Sequence, residues 1–289
     1  MKAIILAGGA GSRLYPLTLV ASKQLQAVYD KPMIYYPLTV LIASGIREFC
    51  LISTPHDLPR YEQLLGDGSQ WGLRIEYRAQ AKPEGIAQAF IIAESFIGNG
   101  NVTLMLGDNI FFGGDAFPRE MNGFTRGATI FAYHVRAPER YGVVEFDAAG
   151  KALSIEEKPK TPRSNYAVPG IYIYDNQVVA MAKALKPSAR GELEITDINQ
   201  RYLTQGDLRV ERLNRGFAWL DAGTSSALQE ASAYIATVEN RQGLKIGCPE
   251  EAALVRGFLS IDAFDALVAR LPNCEYRSYL ETVAAERRG

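Results

Sequence analysis

The stretch Lys2-Ala3-Ile4-Ile5-Leu6-Ala7, followed by Gly8-Gly9-Ala10-Gly11-Ser12-Arg13-Leu14, decides how this chain is read. Its first part is short, apolar and ended by glycine, the pattern of a buried strand. Three glycines in four residues directly after such a strand let backbone N–H groups close on an anion. Arg13, and Lys23 within Ser22-Lys23-Gln24-Leu25, add two fixed positive charges beside the loop. The expectation is a triphosphate cradle built from Gly8, Gly9, Gly11, Ser12, Arg13 and Lys23. The competing reading is a tight β-turn with an exposed arginine. Neither common fingerprint fits. A dinucleotide motif needs glycine where Leu14 stands, and a Walker loop needs Gly-Lys-Ser/Thr where Gly11 is followed by Ser12-Arg13.

Composition narrows the class. A chain of 289 residues can form one large α/β domain, or such a domain with an appendage. Hydrophobic content of 47% with 22% charged residues is that of a soluble globular protein. The net charge of −1 and the lack of a basic block argue against a nucleic-acid partner. Cys50, Cys248 and Cys274 are odd in number and widely spaced, as for reduced thiols in a cytoplasmic protein. No apolar run reaches membrane-spanning length and no signal-peptide layout opens the chain.

Outward from the glycine loop, strands are expected at Phe49–Thr54, Leu73–Arg78 and Val102–Leu106. Helices are expected at Pro32–Gly45, Asp57–Leu65 and Glu84–Ile97. This alternation implies a Rossmann-like, mostly parallel central sheet flanked by helices. Ligands in such sheets sit beyond the carboxyl ends of the strands, where both the glycine loop and Gly107-Asp108-Asn109 fall. After about residue 125 the pattern turns strand-rich: Ala128–Val135, Gly142–Phe146, Ala152–Ile155, Val168–Tyr174, Leu208–Leu213 and Phe217–Leu220. Helices follow at Glu194–Leu203 and Thr224–Arg241. The expected organisation is an α/β domain over 1–247, its halves meeting near 125, with a small C-terminal helical appendage over 248–289.

Leu6-Ala7-Gly8-Gly9-Ala10-Gly11-Ser12-Arg13-Leu14, Ser22-Lys23-Gln24-Leu25 and Tyr29-Asp30-Lys31-Pro32-Met33-Ile34-Tyr35-Tyr36-Pro37-Leu38 closely resemble the sugar nucleotidyltransferases. Gly85-Ile86-Ala87-Gln88, Leu106-Gly107-Asp108-Asn109, Glu139-Arg140-Tyr141-Gly142, Glu156-Glu157-Lys158-Pro159, Arg190-Gly191-Glu192-Leu193-Glu194 and Ala218-Trp219-Leu220-Asp221 point to the thymidylyltransferase branch. The resemblance implies attack of the phosphate of glucose 1-phosphate on the α-phosphorus of dTTP, with pyrophosphate leaving. That chemistry needs positioning and charge neutralisation more than a strong base. The roles it implies start with Arg13 on the leaving phosphates and Lys23 on the α-phosphate. Asp108 and Asp221 would share Mg²⁺. Gln24, Gln80, Gly85 and Asn109 would contact the nucleotide, with Gln80 offering a donor and an acceptor to a pyrimidine edge. Gly142, Glu157, Lys158, Val168 and Arg190 would hold the sugar phosphate. The resemblance further implies a homotetramer, a role in dTDP-rhamnose or other deoxysugar synthesis, and a regulatory site for a nucleotide sugar such as dTDP-rhamnose. That site would lie near Phe112-Gly113-Gly114-Asp115, Arg215-Gly216-Phe217 and the C-terminal helices.

The chain departs from the usual pattern at Ser12, Gln26-Ala27, Gly114, Pro169 and Ala222. None of the proposed charged residues is missing. The alternatives are another sugar nucleotidyltransferase, such as a UTP-using one, a non-catalytic nucleotide-sugar sensor, and a Rossmann oxidoreductase, which Leu14 disfavours.

Overall fold

A computed structural model describes residues 1–9 and 11–288; Ala10, within the glycine loop, and Gly289 lie outside the described residues. Strand β1 (Lys2–Leu6) is followed by a two-strand hairpin, β2 (Ala27–Val28) and β3 (Lys31–Pro32). Strands β4 (Glu48–Ser53), β5 (Arg74–Ala79) and β6 (Val102–Leu106) complete the parallel centre. There β1 lies between β4 and β6, and β5 pairs with β4. Side chains alternate along these strands. Ala3, Ile5, Phe49 and Leu51 enter one core; Ile4, Leu6, Cys50 and Ile52 enter the other. Both faces are therefore buried, as a parallel sheet requires, and helices such as Tyr35–Ala43 and Gln88–Ile92 cover them.

The second half extends this sheet. After β7 (Asn109–Phe112) come β8 (Ala128–His134), β9 (Gly142–Phe146), β10 (Ala152–Glu157), β11 (Tyr166–Ala167), β12 (Ile171–Tyr174), β13 (Leu208–Arg212) and β14 (Ala218–Asp221). The order is β10-β9-β11-β8-β12-β6-β1-β4-β5, with β13 on the other edge of β8. Strands β10, β11 and β12 run against the rest, so the expected mostly parallel sheet holds. The segment expected as one strand, Val168–Tyr174, is broken. Val168-Pro169-Gly170 separates β11, which pairs with β9, from β12, which pairs with β6. Proline cannot donate to a ladder, and at Gly170 a Cβ would lie 2.6 Å from Leu106 Cδ1. The sheet forks at this break. β7 and β14 form a separate antiparallel pair beside the fork, so Asn109 and Asp221, expected just past strand ends, are register partners in strands.

Two helices differ from expectation. The helix expected to begin at Pro32 begins at Tyr35, because Met33 N–H donates to Gln26 O (3.0 Å) and Ile34 N–H to Gln24 O (2.9 Å). The helix expected over Glu84–Ile97 is two short ones, Gln88–Ile92 and Glu94–Ile97. Its first turn is lost because Leu193 N–H donates to Glu84 O (2.7 Å) and Ala87 N–H to Leu193 O (3.2 Å). The helix Ser225–Gln242 is capped by Thr224, whose hydroxyl accepts from Ala227 N–H. Beyond it, the C-terminal helices Ile261–Val268 and Glu275–Arg288 pack around Phe264, Val268, Leu280 and Val283, while Pro249–Val255 adds Ala252 and Ala253 to the main core. Among the described residues, no helix is long and apolar enough to cross a membrane.

Candidate active site

At the carboxyl end of β1, Gly8 and Gly9 open a cavity of about 190 Å³. Its walls include Lys23, Gln24, Gln80, Pro83, Gly85 and Asp108. At Gly8 a Cβ would lie 2.7 Å from Gln80 Oε1, so any side chain there would displace the Gln80 amide. Gly85 is required by both shape and conformation, with φ +107° and the Leu193 backbone 2.5 Å from where a Cβ would sit. Gln24 is buried and its amide donates to Gly8 O (3.4 Å), so it braces the loop as well as lining the cavity. Gly11 and Ser12 stand outside both cavity walls. Gly11 has φ +55° and precedes the short turn Ser12–Leu14, which carries Arg13 toward a second cavity.

That second cavity, about 360 Å³, opens into the fork of the sheet. It shares Ile86, Leu106 and Asp108 with the first. Gly142, Val168, Glu157 and Lys158 line it, as do Arg13, Asn109 and Asp221. Arg140, Tyr141, Tyr172 and Trp219 line it too, four residues with no expected role. Arg140, Tyr141 and Trp219 stand within stretches that carry the resemblance, next to or near Gly142 and Asp221, and that proximity was the available signal.

Polar contacts converge on the shared wall. Lys23 Nζ is ion-paired with Asp108 Oδ2. Asn109 Nδ2 donates to Asp108 Oδ1 (3.0 Å), while Asn109 Oδ1 accepts from Gly170 N–H (2.9 Å) and Trp219 Nε1 (2.7 Å). Asn109 thus fixes the Asp108 carboxylate and ties it to the fork. Tyr141 O–H donates to Asp221 Oδ2 (3.4 Å), with Arg140 Nη2 3.8 Å from the same oxygen. Burial, and then the charge of Asp108, push the Asp221 pKa up against the opposing pull of Lys23, Arg13 and Arg140.

On the far side, Thr196 O–H donates to Glu157 Oε2 (2.6 Å). Lys158 Nζ lies 3.6 Å from Glu157 Oε1, and Lys158 has φ +45°, a strained conformation for a side-chain-bearing residue. Arg190 stands outside the cavity lining. Its Nη2 lies 2.8 Å from Glu194 and 3.5 Å from both Glu157 and Glu192.

The carboxylates suit a divalent cation of the Mg²⁺ type. Among the described residues no group of three or more His, Cys, Asp or Glu side chains is placed to hold a metal. Mg²⁺, however, is commonly held by one or two carboxylates, with water and substrate phosphate completing the octahedron. Burial, then the Asp108 charge, raises the Asp221 pKa, and a cation held by these carboxylates would favour the ionised form.

A glycine-lined cavity and a second cavity that share Asp108 suit transfer between two phosphorylated substrates, the chemistry of a nucleotidyl transferase. The chain belongs to that family, whose profile, Nucleotidyl transferase, matches residues 2–238. Among curated relatives, the glucose-1-phosphate thymidylyltransferase of Neisseria gonorrhoeae is 54% identical over 283 residues, covering 97% of this chain and 98% of the relative. That of Mycolicibacterium smegmatis is 55% identical over 282 residues, with 97% and 98% covered. A solved Bacillus anthracis structure assigned the same activity, in complex with a sucrose, superposes with a TM-score of 0.76 at 45% identity, covering 81% of this chain and 94% of that one. A UDP-glucose pyrophosphorylase solved with UDP-glucose shares the fold, with a TM-score of 0.73 at 20% identity and coverages of 82% and 98%.

Proposed function

We propose that this enzyme transfers the thymidylyl group of dTTP to glucose 1-phosphate, giving dTDP-glucose and pyrophosphate. The observation that carries the reading is the wall common to both cavities: a triphosphate in one and a sugar phosphate in the other meet at Asp108. Gly8 and Gly9 bring backbone close to the triphosphate, and Lys23 draws charge from the attacked phosphate. Arg13 lines the second cavity beside Asp221 and Gly223 rather than the cradle, and reaches the departing phosphates from there. Lys158 and Arg140 hold the sugar phosphate. Arg190 reaches it by exchanging a carboxylate partner for the substrate. Glu157, with the backbone at Gly142 and Val168, reads sugar hydroxyls. Asp108 and Asp221 would hold Mg²⁺, which supplies charge neutralisation between two polyanions.

The resemblance extends the proposal to a homotetramer in dTDP-rhamnose or other deoxysugar synthesis. For feedback by a nucleotide sugar, a cavity of about 210 Å³ lies between Phe112-Gly113-Gly114 and Lys245-Ile246-Gly247. The catalytic reading is tested by pyrophosphate release from a panel of nucleoside triphosphates and sugar 1-phosphates. We expect dTTP with glucose 1-phosphate among the best pairs; finding it among the poorest overturns the assignment.

A further inference from the structure

Gln80 is buried on the cradle wall, and the direction in which its amide points decides what it offers a base. That direction is fixed from outside the cavity by a run of groups that can each only give or only take a hydrogen bond. Glu84 carboxylate is an acceptor, so Gln88 must present Nε2 to it, and does so to Glu84 Oε2 at 2.7 Å. The backbone N–H of Glu84 is a donor and meets the other end of the same amide, Gln88 Oε1, at 3.4 Å. Gln88 is therefore pinned at both ends. Its Oε1 then accepts from Gln80 Nε2 at 2.6 Å, and Gly85 O, another pure acceptor, takes the same Nε2 at 3.4 Å. Gln80 Oε1 is left facing Gly8 and the cradle, and it accepts no hydrogen bond among the described residues.

We infer that Glu84 and Gln88 are specificity-determining positioning residues, which oblige Gln80 to present an acceptor to the base. The inference rests on the reading of Gln80 as the residue that meets the base. An acceptor at that point matches a ring N–H, as in the imide of thymine or uracil. It repels cytosine, whose ring nitrogen at the corresponding position is itself an acceptor. An amide free to turn would offer its NH₂ to cytosine instead. Neither Gln88 nor Glu84 lines the cradle, so both act through Gln80.

The test is the ratio of kcat/KM for dTTP over dCTP in the full-length enzyme, with glucose 1-phosphate as acceptor. Gln88→Met keeps the length of the side chain and removes both polar ends. It should lower the ratio about tenfold, the scale of one hydrogen bond, with KM for glucose 1-phosphate unchanged. Gln88→Glu combined with Glu84→Gln, which moves the donating amide to position 84 and leaves a carboxylate that still accepts from Gln80, should keep the ratio. Glu84→Gln, which can donate as well as accept, should lower it less than Gln88→Met and serves if that variant fails to fold. Equal loss with both triphosphates would show a merely structural role and overturn the inference. A wild-type enzyme without preference for dTTP, or Gln80→Ala with the preference intact, would instead overturn the reading of Gln80. If Gln80→Ala erases the preference and Gln88→Met and Glu84→Gln both keep it, only the relay fails.

Discussion

At Asp221 the fold buries a carboxylate beside a second one, Asp108, and the first of these effects outweighs the second in raising its pKa. A raised folded-state pKa means that the ionised native form bears a cost the unfolded chain does not. That cost is in full force above the folded pKa and is relieved as pH falls through it. In chelator at neutral pH, Asp221→Asn should raise Tm by about 2 °C, while turnover with metal drops steeply. The Tm advantage should shrink as pH is lowered into the carboxylate range. Thermal scans of both proteins across pH check this, and a lower Tm for the variant at neutral pH would contradict it. Residues of this kind were legible beforehand: Asp108, Lys23 and Arg13 follow strand or loop ends where charge has few structural uses. Tyr141, Tyr172 and Trp219 were not, because aromatic residues ordinarily read as core, and Arg140 ordinarily reads as a solvated charge. Only the fork turns these four toward one cavity.

Among the elements, the helix Leu58–Leu65 acts on the site without touching it. Its fully buried Tyr61 contacts Ser22 Oγ through its hydroxyl at 2.6 Å, Gln24 Oε1 at 3.4 Å and Ala7 O at 3.4 Å. These partners flank Lys23 on both sides and mark the exit of β1, so one hydroxyl joins the lysine turn to the glycine loop. Asp57 adds to the brace by accepting from Ser22 N–H at 3.3 Å. Tyr61→Phe keeps the ring and removes this stitch. It should lower kcat about tenfold while leaving KM for glucose 1-phosphate unchanged. Steady-state kinetics decide this; an unchanged kcat would remove Tyr61 from the support of Lys23. The strand Gly142–Phe146, bounded by turn residues, was legible to the residue. The misread elements are those where distant chain overrides local pattern. Leu193 takes the backbone partners of Glu84 and Ala87, the Gln24 and Gln26 carbonyls hold Ile34 and Met33, and Pro169-Gly170 splits one apolar run between two neighbours.

For the molecule as a whole, one sheet does two jobs. Its parallel centre ends in the cradle, and its extension through antiparallel β11 and β12 opens the fork, the sugar site of the proposed function. The two cavities meet at Leu106 and Asp108, at the end of β6, the strand where the parallel and antiparallel parts join. Periodicity foretold both halves and their order along the chain, but not the join, which depends on how β11 and β12 pair across the sheet. On the proposed reading the join means direct transfer: the attacking oxygen arrives from one cavity, pyrophosphate leaves from the other, and no protein nucleophile intervenes. The most direct measurement is the steric course at phosphorus, using one diastereomer of dTTP with sulfur on the α-phosphate. The account predicts inversion of configuration in the dTDP-glucose formed; retention would show a covalent intermediate and contradict it.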